Sequence, residues 1–354
     1  MIFSLSGCIA KQEVVENNNI EVITMLKPKG IRGFEQIIDN YEKNHNNVNI
    51  KVVEITDSTN EIYKVYTTTL NSKDSDIDIY LMDEIWIDEF AQSGYLEPLK
   101  LKIEEENYDA NAIDFFTSDD VMYALPFVLD IGVLFYRKDR ISETPKSWSD
   151  VINTSPQPIF EKKEDEDILC NCIELGEYLE DAYPYFTETG NEGGDSLKTR
   201  FKKGDINYYK GWSKDYAYFN DYAFDIGGNI GVMIPDIPVL GGYGLAISSF
   251  SEKKDTAQHF LEYISDSPNI REILKKEGYI PVQKEFLSDK MFVDYNPCMK
   301  DIENTILKAV VRKSDARYIE NSWNLQKQLY MAICEKKAPP ELKTIYKQQN
   351  QKGR

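Results

Sequence analysis

The sequence predicts an α/β fold divided between two lobes. Three observations carry this reading. The chain has 354 residues, more than one hydrophobic core usually serves. Strand-like and helix-like runs alternate from Ile20 to Gly94, the pattern of a parallel sheet with helices on both faces. In the second half the helical stretches lengthen and the strands become short and few.

The elements follow in order. Ile20 to Leu26 is strand-like and rich in β-branched residues, and Phe34, Ile37, Ile38 and Tyr41 fall at helical spacing. Val48 to Ile55 is a second strand, and Ile62, Val65, Thr69 and Leu70 suit a second helix. Asp76 to Met82 is a third strand, followed by a helix over Ile85–Ser93 that Gly94 stops. Met122–Pro126 and Ile131–Tyr136 read as strands around a junction. Ser147, with Asp150 three residues on, predicts a capped helix start. Helices are expected over Ile168–Leu179 and over Leu197–Phe201, the latter ended by Gly204. Short strands are expected at Ile230–Ile234 and Tyr243–Ser248, then helices over Thr256–Ser265, Asn269–Glu277, Met299–Val310 and Ile319–Cys334. The charged stretch Glu161–Asp167 reads as a solvated loop or helix start.

Composition narrows the function. Apolar residues make up 42% and charged residues 29%, as in ordinary soluble globular proteins. The formal net charge is −19. Phosphate backbones repel such a surface, so nucleic acid is not an expected partner. No stretch of eighteen apolar residues spans a bilayer. The five cysteines, Cys8, Cys170, Cys172, Cys298 and Cys334, make no disulfide framework for a chain of this length. Cys170 and Cys172 stand too close for a zinc clamp, and the two histidines, His45 and His259, stand alone in sequence. Neither metal nor cofactor is expected.

The first eight residues read Met-Ile-Phe-Ser-Leu-Ser-Gly-Cys8. A short apolar run ending in Leu5-Ser6-Gly7 before Cys8 resembles a bacterial lipoprotein signal, in which small residues admit the peptidase and the cysteine sulfur is acylated. The polar stretch to Asn19 then suits a tether.

Four stretches carry a wider resemblance. The first runs Asp76-Ile-Asp-Ile-Tyr-Leu-Met-Asp83-Glu-Ile-Trp86 and on through Phe90-Ala-Gln-Ser-Gly94-Tyr-Leu-Glu-Pro98-Leu99. The second is Tyr123-Ala-Leu-Pro126, then Asp130-Ile-Gly132 to Tyr136-Arg137-Lys-Asp139, with Pro145-Lys-Ser-Trp148 after it. The third is Val239-Leu-Gly241-Gly242-Tyr243-Gly-Leu-Ala-Ile-Ser248, leading to Gly278 and Ile280-Pro281-Val282. The fourth lies between Arg312 and Tyr330, with Tyr318, Ser322 and Gln328. Together they resemble the family 1 extracellular solute-binding proteins of ABC importers, and within it most the trehalose/maltose-binding branch. The resemblance covers residues 20 to 335 in the expected order.

It implies a periplasmic-binding-protein-like, Venus-flytrap fold whose chain crosses between lobes more than once. Residues 20–127 and 240–292 would form lobe one, and 128–239 and 293–345 lobe two, with 1–19 a signal remnant and tether and 346–354 a tail. Pro126–Asp130 and the stretch before Gly241 would be hinge strands. The implied protein is an extracytoplasmic, monomeric receptor, anchored through Cys8, that hands a small ligand to the permease subunits of an importer. Ligand would sit in the crevice at the carboxyl ends of the strands.

A sugar site needs flat aromatic surfaces and groups that accept paired hydroxyl bonds. Asp83 and Trp86 follow a strand end, where the family places an acid and an aromatic beside the ligand; helix capping by Asp83 and core packing of Trp86 are the competing structural roles. Asp130, in the first crossover, matches a family acid that meets the ligand, and a buried hinge charge needs some such partner. Trp212 and Tyr216 match an aromatic pair of the branch, with Gly211 where the branch tends to carry asparagine. Tyr243 stands where the family commonly has tryptophan, behind two glycines that allow close backbone approach. Asp130 and Trp212 are expected on opposite walls of one cleft. Trp148 and Trp323 are expected to be structural, and Lys27 and Glu54 to lie on the surface. No Gly-x-Ser-x-Gly elbow, His-Glu-x-x-His or Walker loop points to an enzyme. A non-sugar ligand or a sensory role for the same fold is the alternative, and a carbohydrate-active enzyme a more distant one.

Overall fold

The computed structural model describes residues 20–101, 103–188, 196–222, 227–300, 302–312 and 317–336. Three parallel strands begin the fold, β1 (Glu21–Pro28), β2 (Val48–Ile55) and β3 (Ile79–Asp83), with β1 between the other two. The connections are α1 (Phe34–Asn44) and α2 (Thr59–Asn71). α1 buries Phe34, Ile37, Ile38 and Tyr41, the positions whose spacing predicted it. All five residues of β3 are buried, as a strand covered on both faces requires.

The next long strand, β4 (Ala124–Arg137), corrects the sequence reading of two strands around a junction. It is continuous for fourteen residues and buried throughout. Beyond it lie β5 (Tyr208–Trp212), which the sequence reading did not assign, β6 (Ile230–Met233) and β7 (Val239–Ile247). Ala124–Ile131 of β4 pairs antiparallel with Leu240–Ala246 of β7, which also pairs antiparallel with β3. Gly132–Tyr136 pairs instead with β5, and Leu134–Arg137 with β6. The sheet path is therefore β6–β4–β7–β3–β1–β2. One strand belongs to two blocks of structure, and its neighbours change near Ile131 and Gly132.

Further helices are α3 (Ile87–Gln92), α4 (Trp148–Thr154), α5 (Glu166–Leu175), α6 (Leu197–Lys203), α7 (Asp215–Tyr222), α8 (Lys254–Ser265), α9 (Ser267–Glu277) and α10 (Tyr318–Glu335). Left-handed glycines follow α3 and α6 as expected, with φ of 71° at Gly94 and 80° at Gly204. Ser147 and Asp150 form the anticipated capping box. Trp148 is buried, and its indole N–H donates to the Glu174 carbonyl at 3.0 Å. The helix expected over Met299–Val310 shortens to Ile302–Ile306.

Two hydrophobic clusters form. The larger runs from β1–β3 under α1, α2 and α8 to Phe201 and Phe219. The smaller packs Trp148, Phe160 and α5 against the outer part of β4 and against Leu329 and Ile333 of α10. Among the described residues no helix is long and apolar enough to cross a membrane.

Candidate functional site

A cleft of about 310 Å³ opens where the carboxyl ends of the first strands face α6 and α7. From the β1–β3 side come Pro28 at the end of β1, Gly30, Ile31 and Arg32 after it, Asp57 after β2, Tyr243 from β7, Glu277 at the end of α9 and Tyr279 just beyond it. From the other side come Lys198 on α6 and Lys214, Asp215, Ala217 and Tyr218 at the start of α7. The rings of Tyr243 and Tyr279 meet edge-on, centroids 6.4 Å apart. The Lys214 ammonium lies 5.8 Å from the first ring and 5.1 Å from the second. Across the cleft Lys198 stands 4.5 Å from the Tyr218 ring and pairs with Asp215 at 2.5 Å. Burial works against the charge of Asp215, but Lys198 and Lys214 outweigh it and hold its carboxyl below the ordinary range.

Of the residues the sequence singled out, Tyr243 lines this cleft; Asp83, Trp86, Asp130, Trp212 and Tyr216 do not. Asp83, at the end of β3, caps the following turn by accepting from the Ile85 N–H at 3.3 Å and lies 3.4 Å from the Arg312 guanidinium. Trp86 is 1% exposed and packs edge-on to Tyr66, so it is a core side chain and offers no ligand a face. Asp130 is buried. Its Oδ1 accepts from the Ser213 hydroxyl at 2.5 Å, the Lys214 N–H at 3.2 Å and the Ile131 N–H at 3.1 Å. Burial pushes its carboxyl up to about 6, against the pull of Lys214 at 3.8 Å. Trp212 is half-buried; its indole N–H donates to Asp167 at 3.0 Å. Tyr216, on the first turn of α7, belongs to the larger core cluster.

The expectation that Asp130 and Trp212 face each other across a cleft is corrected. Trp212 pairs with Gly132 on the neighbouring strand, and Asp130 bonds the two residues after Trp212, so the two are sheet neighbours. Lys27 is corrected too, whereas Glu54 is exposed as expected. Lys27 is 1% exposed and donates to Glu54 at 2.6 Å and to the Ile31 carbonyl. Trp323, expected in the core, is 37% exposed and donates to Asn60 at 3.0 Å. Cys8 lies outside the described residues.

A buried polar cluster sits beside the cleft and was not read as one. Arg312 pairs with Glu84 at 2.5 Å, Glu166 at 3.3 Å and Asp83 at 3.4 Å. Glu166 also accepts from Tyr318, from Ser322 at 2.6 Å and from Gln326 at 2.7 Å, all on α10. Glu84 accepts from the Gly242 N–H at 2.9 Å. Burial, with the charge of Asp83 added, drives the Glu84 carboxyl well above its ordinary range, although Arg312 pulls the other way. Arg312, Tyr318 and Ser322 were visible as motif positions. Glu166 was not, because it lies in a charged run that reads as solvated.

Residues 27–269 match the family model of bacterial extracellular solute-binding proteins. The chain belongs to that family. A probable ABC transporter-binding protein of Deinococcus radiodurans is 22% identical, with 84% of each chain aligned. Among solved structures, maltose-bound MalE3 of T. maritima superposes with a TM-score of 0.80 at 19% identity, covering 93% of this chain and 99% of that one. The acarbose-binding GacH receptor of Streptomyces glaucescens also gives 0.80, at 17% identity, covering 94% and 98%. At these identities the structures establish the shared α/β binding-protein fold.

This chain is therefore a solute-binding protein and not an enzyme. Its cleft suits that work. Tyrosine rings supply flat apolar surface, while Asp57, Asp215 and Glu277 supply acceptors. The fixed charges are matched by neighbours, Asp215 by Lys198 and Glu277 by Arg32 at 3.4 Å, so the walls carry polarity without a large net field.

Proposed function

We propose that this binding protein captures a disaccharide or short oligosaccharide, as the trehalose/maltose-binding branch does, and delivers it to the permease subunits of an ABC importer. The observation that carries the reading is the set of tyrosines, Tyr218, Tyr243 and Tyr279, gathered with three carboxylates around one cleft. Its volume of about 310 Å³ falls at the lower end of the range for small-molecule sites, about 300–1,000 Å³. The solved relatives bound to maltose and acarbose support the same class. The lobe boundaries proposed from sequence, 20–127 with 240–292 and 128–239 with 293–345, put Asp57, Tyr243 and Tyr279 in one lobe and Lys198, Lys214 and Tyr218 in the other. Ligand would then be enclosed by a hinge motion in which β4 and β7 flex. Acylation of Cys8 would keep the receptor at the outer membrane surface.

The test is a thermal-shift screen across mono-, di- and oligosaccharides, polyols, polyamines and amino acids, since a ligand that binds only the folded state raises the melting point. A sugar should raise it, and Tyr243→Ala should weaken that sugar's binding at least about tenfold, about 1.4 kcal/mol. A response confined to polyamines or amino acids overturns the sugar assignment.

A further inference from the structure

The two histidines of the sequence, 214 positions apart, meet in the fold. His45 follows the last residue of α1, and His259 lies on α8. Their ring centroids are 5.0 Å apart. Tyr41 orients both. The His45 Nδ1 lies 2.8 Å from the Tyr41 carbonyl oxygen, and the His259 Nδ1 lies 2.9 Å from the Tyr41 hydroxyl. A carbonyl oxygen can only accept, so the neutral His45 ring carries its proton on Nδ1 and leaves the Nε2 lone pair open. The Tyr41 hydroxyl can accept from His259 in the same way. A histidine whose Nδ1–H is held by an oxygen acceptor is the arrangement that orients metal-ligating imidazoles.

We propose that His45 and His259 together bind one borderline divalent cation, of the zinc or copper class, through their Nε2 atoms. The spacing fits. With a metal–nitrogen distance of about 2.0–2.1 Å, each ring centroid stands roughly 3.2 Å from the ion. Two such rings at a near-tetrahedral angle have centroids roughly 5 Å apart, the separation present. Glu21 and Glu262 add negative potential from β1 and α8. No cluster of three or more histidine, cysteine or carboxylate side chains fit for a metal is present among the described residues. Water therefore completes the coordination, and binding is modest and reversible. The site is separate from the sugar cleft. α1 starts just after the cleft residue Arg32 and runs eleven residues before His45, a span of roughly 16 Å at 1.5 Å per residue.

The experiment is a Cu²⁺ titration of the untagged full chain followed by electron paramagnetic resonance, with Zn²⁺ as competitor. The expected result is one site with two imidazole nitrogens on copper, displaced by Zn²⁺. His259→Gln alters an exposed position, so the metal-free melting point should hold while affinity falls at least about tenfold and one nitrogen is lost. His45→Gln should do the same to the spectrum. Copper bound by one nitrogen or none, or equal affinity in the parent and in His259→Gln, overturns the proposal. Sugar binding is read separately, so neither result bears on the cleft.

Discussion

Replacing Arg312 with methionine keeps much of the side-chain length and removes the charge at the centre of the buried cluster. Arg312 is 4% exposed and faces Asp83, Glu84 and Glu166. Breaking a buried pair by removing one partner costs about 3–5 kcal/mol. The lower end applies here, because Glu166 keeps the donors Tyr318, Ser322 and Gln326 and Glu84 keeps the Gly242 N–H. About 3 kcal/mol, at about 2 °C per kcal/mol for a long chain, lowers the melting temperature by about 6 °C. The pH dependence follows from Glu84, whose folded carboxyl is held well above its unfolded value. Such a group favours the fold most where it is protonated in both states, below the unfolded value, and that contribution is lost as pH rises through the folded value. Arg312 lowers the folded value, so its removal deepens the loss. The deficit of Arg312→Met should therefore be larger at pH 7 than at pH 5. Thermal denaturation of the parent, Arg312→Met, Glu84→Gln and the double variant at both pH values measures it, and the double variant should recover part of the loss. A melting point within about 1 °C of the parent at pH 7, or a deficit that grows as pH falls, refutes the reasoning.

Three further outcomes are expected. Burial raises the folded Asp130 carboxyl from 3.8 to about 6, on the order of 3 kcal/mol at about 1.4 kcal/mol per unit; that stability is present below pH 4 and lost as pH rises through 6, so Asp130→Asn should flatten the fall in melting temperature between pH 4 and 6.5, and an unchanged slope would contradict the assignment. Trp148→Ala, which empties a buried site and orphans the Glu174 carbonyl, should cost about 3–5 kcal/mol in denaturant unfolding while sugar affinity per folded molecule stays within about twofold. On the proposed acylation of Cys8, the parent should partition with membranes and Cys8→Ala should not; equal partitioning of both forms would remove the anchor.

Local patterns carried most of the fold. The 3.6-residue spacing of Phe34, Ile37, Ile38 and Tyr41 and the stop at Gly94 were enough to place α1 and α3, because each depends on residues within a few turns. β4 was misread because its apolar run gives no sign of where its partners change; that is decided by β5 and β7, over seventy residues away. Tyr208–Trp212 was missed for a related reason. Tyr-Tyr-Lys-Gly-Trp has no clean alternation, and Lys210 is buried only because Glu174 waits for it at 3.0 Å. The same limit governs the site. Tyr243 could be picked out beside its glycines, whereas Lys214, Tyr218 and Tyr279 carry no local mark, and nothing near Glu166 announces an arginine 146 positions away.

Asp130 shows how a sound premise led to an incomplete conclusion. A buried carboxylate in a strand shared by two blocks does need a partner, and ligand hydroxyls were one candidate. The fold supplies others from within. One oxygen takes three hydrogen bonds from Ser213, Lys214 and Ile131, and the second faces the Lys214 ammonium. These bonds tie the middle of β4 to the residues that begin α7, the helix that presents Lys214, Asp215 and Tyr218 to the cleft. Any displacement of α7 relative to β4 has to stretch them. A ligand pulling on Lys214 would loosen Asp130 from its main counter-charge and raise its carboxyl further, so ligand capture and the protonation of Asp130 are linked through one lysine. If so, sugar affinity should change with pH around 6 in the parent and lose that dependence in Asp130→Asn, and a dependence that survives the substitution would assign it to another group.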